Sequence, residues 1–233
     1  MEVTTKPTDF YQPDIFFNFT LLGKELSYTV DRNQVGCSCN SALYFAALPG
    51  YNADQDLNLS DQGTYYCDAN KVFGNYCPEM DVSEANRYTL QTTPHKCSKP
   101  DGKYYSSCDR SGCMANVWFK NPWAMCPESS CTIDTRKPYT HTTAFEKSED
   151  GKLTAIKNTL IQGSQNFTFD ACSSDDYLEE MTDHLAADMA MIFQSWGNSW
   201  WLMSWLDFMT LCLGSCKLEE TVAIFSDIKI KSL

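Results

Sequence analysis

The residues best placed to do chemistry lie in one short run, Glu79-Met-Asp81-Val-Ser-Glu84-Ala-Asn86. In an extended strand, side chains two apart share a face, so Glu79 and Asp81 point the same way. Glu84 would face the opposite side of a regular strand. One extra residue, a β-bulge, returns it to the same face, and bulges recur beside active sites. Three carboxylates would then line one cleft. Like charges held that close cannot all ionise freely, so at least one must keep its proton above the usual carboxylate range. Glycoside hydrolysis asks for this arrangement: one carboxylate attacks the anomeric carbon while another, held protonated, donates to the leaving oxygen. Two such groups on one strand lie close together, which favours retention of configuration. The plain alternative is a solvated acidic strand, and spacing alone weighs the two evenly.

The elements that must position this run read as short strands. Residues 15–31 are β-rich, with Leu26, Tyr28 and Val30 alternating onto one face. Residues 42–48 form a second apolar run closed by the turn pair Pro49-Gly50. Residues 51–64 are polar and read as a loop, followed by short segments at 64–68, 78–86, 103–107 and 115–119. Residues 131–161 give two or three strands, with a hairpin signal around Glu149-Asp150-Gly151. Leu178, Met181, Leu185 and Met189 recur at helical spacing and predict one helix over 175–191. Residues 186–214 are apolar, but Asp188, Gln194, Asn198 and Asp207 interrupt them. Two buried strands around Gly197-Asn198 therefore fit better than a membrane span. The chain ends in an alternating strand over 222–230. Many short strands with turns and long loops make a sandwich-like all-β domain, one unit over 1–233.

Composition sets the context. The chain has 233 residues, 18 basic and 30 acidic side chains and a net charge of −12, which offers no surface for nucleic acid. Hydrophobic residues at 43% suffice for a packed core. Twelve cysteines, an even number, point to disulfides and an oxidising compartment. No pair of Cys-x-x-Cys units suggests a metal site, and no metal or cofactor is expected. Residues 1–9 show no basic stretch followed by an apolar one, so secretion is expected without a leader in view. Three Asn-x-Ser/Thr sequons, at Asn18, Asn58 and Asn166, accord with secretion.

EMDVSEAN followed by TTPHKC resembles the EMDxWEAN…TPHxC signature of glycoside hydrolase family 7, the cellobiohydrolases and endoglucanases. FTLLGKELSYTVD, ALYF, YYCDAN, MIFQSWGNSWWLMSWLD and VAIFSDIKI resemble further family segments in the same order, from Phe16 to Ile230. The resemblance implies a concanavalin-like β-sandwich, or jelly roll, with disulfide-tied loops. It implies Glu79 as nucleophile, Asp81 as the group tuning it, Glu84 as general acid and then base, and His95 near the leaving-group side. A lone histidine is otherwise more often structural. By the same resemblance Asn40, Tyr44, Asp68 and Asn70 contact the sugar beside the scissile bond. Trp196 and Trp205 offer aromatic faces to glucose rings, and Lys103 keeps a positive charge on the product side. Trp200 and Trp201 are expected to pack in the core.

The family alignment also implies disulfides Cys37–Cys216, Cys67–Cys77, Cys97–Cys108 and Cys113–Cys172. Cys126–Cys131 and Cys39–Cys212 are guesses for the remainder. Against the family pattern, the large N-terminal portion before Phe16 and the loops that would roof a tunnel are missing, so the fold is expected to be short of strands. Phe119 and Leu213 stand at arginine positions, and Ser83 replaces the motif's tryptophan. An open cleft suits internal cutting of a β-1,4-glucan by a secreted monomer. The runner-up is a weak or inactive carbohydrate-binding relative.

Overall fold

The computed structural model describes residues 16–233, apart from the side chains of residues 208–211. Residues 1–9, read above for a leader, lie outside the described residues. Two antiparallel sheets face each other. The first comprises six strands: β1 (Asn18–Phe19), β3 (Cys39–Ala46), β4 (Glu79–Ala85), β5 (Leu90–His95), β6 (Ala115–Asn116) and β12 (Met189–Gly197), in the order β1-β12-β3-β4-β5-β6. The second comprises five: β2 (Lys24–Asp31), β9 (Tyr139–Lys147), β10 (Leu153–Gln162), β11 (Gln165–Asp170) and β13 (Ile224–Ser232), in the order β11-β10-β9-β2-β13. A short parallel pair, β7 (Met125–Cys126) with β8 (Ile133–Asp134), stands apart.

The core lies between the sheets, as alternating strands require. Leu26, Tyr28 and Val30 from β2, with Phe145 and Ile156, meet Leu43, Phe45 and Met80 from the first sheet. One cation sits among them. Arg32 is fully buried; it donates to the Tyr139 hydroxyl at 2.6 Å and to Ser83 Oγ at 2.7 Å. Ser83 is the residue standing where the motif resemblance has tryptophan, and the Arg32 guanidinium, packed over the Phe225 ring at 5.3 Å, lies beside it.

Three sequence expectations are corrected. The predicted helix stops early: α2 (Asp175–Ala186) begins at the Ser174 cap and ends where Ala187 turns extended. Leu178, Met181 and Leu185 are buried from it, but Met189 is buried as the first residue of β12. The second strand expected after Gly197-Asn198 is instead α3 (Ser204–Leu211), and α1 (Val117–Lys120) adds another turn, so the described residues hold three α-helices rather than one. Last, two disulfide partners exchange. The structure joins Cys67–Cys77, Cys97–Cys108, Cys113–Cys172 and Cys126–Cys131, but pairs Cys37 with Cys212 and Cys39 with Cys216. Sheet register is the reason. Gly197 is the cross-strand partner of Cys39, and a side chain on Gly197 would collide with Cys216 Sγ, so Cys216 lies over that pair. Cys212 follows α3, whose Asp207 accepts from the Ser38 N–H and lies 3.5 Å from Cys212 Sγ, next to Cys37. Segments 64–68 and 103–107 contribute only isolated bridges, and β11 is a strand the sequence reading did not separate.

Candidate active site

The outer face of the first sheet carries the site, and register alone assembles it. Along β4, the pairing with β3 skips from Ser83 to Asp81, leaving Val82 as the extra residue of a bulge. Val82 and Ser83 both turn inward, the first into the core and the second to Arg32. That extra inward residue puts Glu79, Asp81 and Glu84 on the same outer face. Three rows then cross the sheet. Ala190, Ala46, Glu79 and His95 form one; Ile192, Tyr44, Asp81 and Thr93 the next; Gln194, Ala42, Glu84 and Gln91 the third. Each acid therefore has a small or tyrosine neighbour on β3 and a polar one on β5. They line a cleft of about 820 Å³ that also takes in Asp68, Asn70, Trp196 and Trp205.

Hydrogen bonds fix each acid. Glu79 Oε2 accepts from the Ala69 N–H at 3.0 Å. Glu84 Oε1 accepts from Asn40 Nδ2 at 2.9 Å, while Asn40 Oδ1 accepts from the Ala85 N–H at 2.9 Å, so the amide cannot swivel away. Asp81 Oδ2 lies 3.0 Å from His95 Nε2, and His95 Nδ1 lies 2.8 Å from the Asp109 carbonyl. A carbonyl only accepts, so Nδ1 carries a hydrogen. One proton then sits between Nε2 and Asp81, either on the carboxyl donating to a bare nitrogen or on an imidazolium donating to a carboxylate.

Electrostatics match this crowding. Burial, then the charge of Asp68, pushes the Asp81 carboxyl up to about 8. Glu79 is held well above the usual carboxylate range by burial first and Asp81 second, with His95 and the Ala69 N–H opposing. Glu84 is raised by the same two causes, with His95 and Asn40 opposing. Such a group of acids keeps protons at neutral pH and can hand them on. Glu79, Asp81 and His95 also bring ligand-type atoms within 4.8 Å of one another, close enough for a cation to take the place of that proton.

Of the other residues singled out in the sequence, Tyr44 lies in the cleft, its hydroxyl 3.0 Å from that of Tyr66 and donating to Gln194 Oε1 at 3.1 Å. Asp68 accepts from the Val72 N–H at 3.0 Å. Trp196 and Trp205 stack, ring centres 6.0 Å apart and planes 22° from parallel. Lys103 is not brought to the cleft: it is exposed, and its Nζ donates to the Tyr51 hydroxyl at 3.1 Å. Trp201 is 60% exposed rather than packed. The cleft also gains residues that sequence reasoning missed, among them Tyr66, Gln194, Arg110 and Met114. Gln194 sits two before Trp196, so strand alternation would have found it. Arg110 and Met114 come from a disulfide-tied loop with no period to read.

Comparison with known proteins follows this geometry. The family profile described as Glycosyl hydrolase family 7 matches residues 11–73 and 70–176. Endoglucanase 1 of Pyricularia oryzae is 29% identical over 253 aligned positions, covering 86% of this chain and 59% of the relative. A probable endo-beta-1,4-glucanase of Aspergillus clavatus is 28% identical, covering 80% of this chain and 55% of its own. This chain thus spans little more than half the length of these curated relatives. Among solved structures, an endoglucanase I complexed with cellobiose superposes with a TM-score of 0.75 at 22% identity, over 93% of this chain and 69% of that one. A family 7 cellobiohydrolase from Daphnia pulex gives 0.69 at 20% identity, over 92% and 71%. These likenesses establish the sandwich fold.

Proposed function

Because the chain belongs to glycosyl hydrolase family 7, we propose that it cleaves β-1,4-glucosidic bonds in cellulose or a related β-glucan, with retention of configuration. The observation carrying this reading is the single-residue bulge that lines up Glu79, Asp81 and Glu84 opposite His95. In this mechanism Glu79 attacks the anomeric carbon while Glu84 gives its proton to the leaving oxygen. Glu84 then takes a proton from water as that water releases the glycosyl group from Glu79. Asp81 and His95 share a proton beside the nucleophile, and Glu79 gives its own proton to solvent water before it attacks. Asn40, Tyr44, Asp68 and Asn70 hold the sugar at the cleavage point, and the stacked Trp196 and Trp205 present a face to the ring beyond it.

Cutting within a chain fits the short loop between Cys67 and Cys77, ten positions apart in sequence, which leaves the cleft without a long roof there. The names of the fungal relatives, endoglucanases, agree with it. We read residues 1–233 as one catalytic domain, acting as a secreted monomer on polysaccharide rather than on nucleic acid or membrane. Six disulfides and the exposed sequon asparagines Asn18 and Asn166 support export. Among the described residues no helix is long and apolar enough to cross a membrane.

The test is release of reducing ends from a soluble β-glucan by the disulfide-bonded chain and by Glu79→Gln. Loss of turnover by roughly 10³-fold or more in the variant is expected. Equal release by both proteins, or none by either, overturns the proposal.

A further inference from the structure

The ring of His95 is oriented from outside the cleft, through the Asp109 carbonyl. The residues on either side of it, and the carboxylate of the residue whose carbonyl holds its ring, meet at a single atom, the Tyr177 hydroxyl on α2. That oxygen accepts from the Lys96 N–H at 3.2 Å, lies 3.2 Å from the Pro94 carbonyl and lies 3.1 Å from Asp109 Oδ2. Asp109 is also tied to the same strand end through its own N–H, which donates to the Lys96 carbonyl at 2.8 Å. Its carbonyl is the partner of His95 Nδ1. The following loop closes against the ring. Gly112, at φ +64°, lies so near that a side chain there would come within 2.9 Å of His95 Cε1. Tyr177 itself does not line the cleft.

From this convergence we infer that Tyr177 is a positioning residue for the proposed reaction. By gripping Asp109 and the peptide groups flanking His95, it keeps the hydrogen on Nδ1 and aims Nε2 at Asp81. The inference rests on the glycosidase reading for its kinetic consequence, but its structural content stands apart from it. A tautomer is chosen by the partner of the other ring nitrogen, and a carbonyl that moves away no longer chooses. The titratable and charged groups around the ring are Glu79, Asp81 and Glu84 from β4, Asp109 and Arg110 from the loop, Lys96 just past the end of its own strand, and Tyr177 and Glu180 from α2. Glu180 reaches only Lys96, at 2.7 Å, on the outer surface.

The experiment compares wild type, Tyr177→Phe, Asp109→Asn and Glu180→Gln. Only three histidines are present, so ring nitrogen shifts of His95 are assignable by NMR. Wild type and Glu180→Gln should both show Nδ1–H. Tyr177→Phe should show mixed tautomers, and Asp109→Asn, which keeps the carbonyl but swaps the carboxylate, a smaller change of the same kind. On a soluble β-glucan, Tyr177→Phe should lose about 10-fold to 100-fold in kcat with KM unchanged and a displaced pH profile, as expected for a misplaced group. A wild-type His95 signature and pH profile in both Tyr177→Phe and Asp109→Asn overturns the inference. If wild type itself releases no sugar, the function proposal fails while the NMR comparison still decides the role of Tyr177.

Discussion

Replacing Asn40 by alanine should move the alkaline limb of the pH–rate profile upward. The Asn40 amide donates to Glu84 Oε1 at 2.9 Å and is itself fully buried, so no water stands ready to replace it. A hydrogen bond to a charged acceptor contributes about 1.5–3 kcal/mol. Each tenfold change in a protonation equilibrium corresponds to about 1.4 kcal/mol, so losing that bond favours the protonated Glu84 by roughly 10-fold to 100-fold. The sign follows from which form the amide favours. It stabilises the carboxylate, so its removal favours the acid. In its proposed role Glu84 must be protonated to serve the leaving group, and the alkaline limb of kcat/KM reports that proton in the free enzyme. The assay is kcat/KM against pH on a chromogenic aryl β-cellobioside, with folding checked at every pH. Asn40 is also one of the residues proposed to hold the sugar, but lost binding lowers the profile without moving its midpoint. The variant also strips the acceptor from the Ala85 N–H, at a stability cost of about 1–3 kcal/mol. A midpoint that stays put or moves down refutes the assignment of Glu84 as the acid, or of Asn40 as its partner.

Two further predictions concern the core. Arg32 is a buried cation with no carboxylate beside it among the described contacts, held by Tyr139 and Ser83. Ser83→Ala should cost about 1–3 kcal/mol by leaving the guanidinium short of an acceptor. Arg32→Met, which removes the charge and fills the space, should be neutral or stabilising in urea melts; a large loss in that variant would contradict it. His141 accepts from the Tyr28 hydroxyl at 2.7 Å and lies 2.9 Å from Asn158 Oδ1, and burial depresses it to about 3. The unfolded chain binds this proton first, so its contribution is complete above pH 6.5 and is lost as pH falls toward 3. Between pH 6.5 and 5 that amounts to about 1.5 kcal/mol. Urea midpoints of wild type and His141→Gln at the two pH values should differ in slope by that amount, and parallel slopes would refute it.

What could be read from the sequence depended on period. Leu26, Tyr28 and Val30 announced β2 because a strand half-buried on one face alternates, whereas the Glu79-x-Asp81-x-x-Glu84 spacing raised a bulge without choosing it over a solvated acidic strand. Where two periods overlap, reading failed. Met189 continues the helical spacing of Leu185 yet belongs to a strand, since apolar spacing does not mark where hydrogen bonding changes partner. The run after Gly197 is apolar throughout, and such runs fit buried strand or helix alike. Cys37 and Cys39 differ by two positions and look interchangeable in a chain; register with Gly197 separates them. Lys103 carried the right charge, but its loop folds it onto Tyr51, a contact without local signal.

The bulge at Val82 has a consequence for how this site can change. Because it adds a residue without altering which strands pair, the distance along the chain from Glu79 to Glu84 is set by a residue count. Any side-chain substitution in β4 leaves that count intact. A deletion of Val82 would rotate the first half of the strand by one pleat, driving Glu79 and Asp81 into the space now held by Met80 and leaving Glu84 alone outside. Loss of the acid set by point mutation is gradual; loss by a single in-frame codon deletion is complete and takes the core with it. The reading frame through Val82 therefore protects the fold and the alignment of the three acids together.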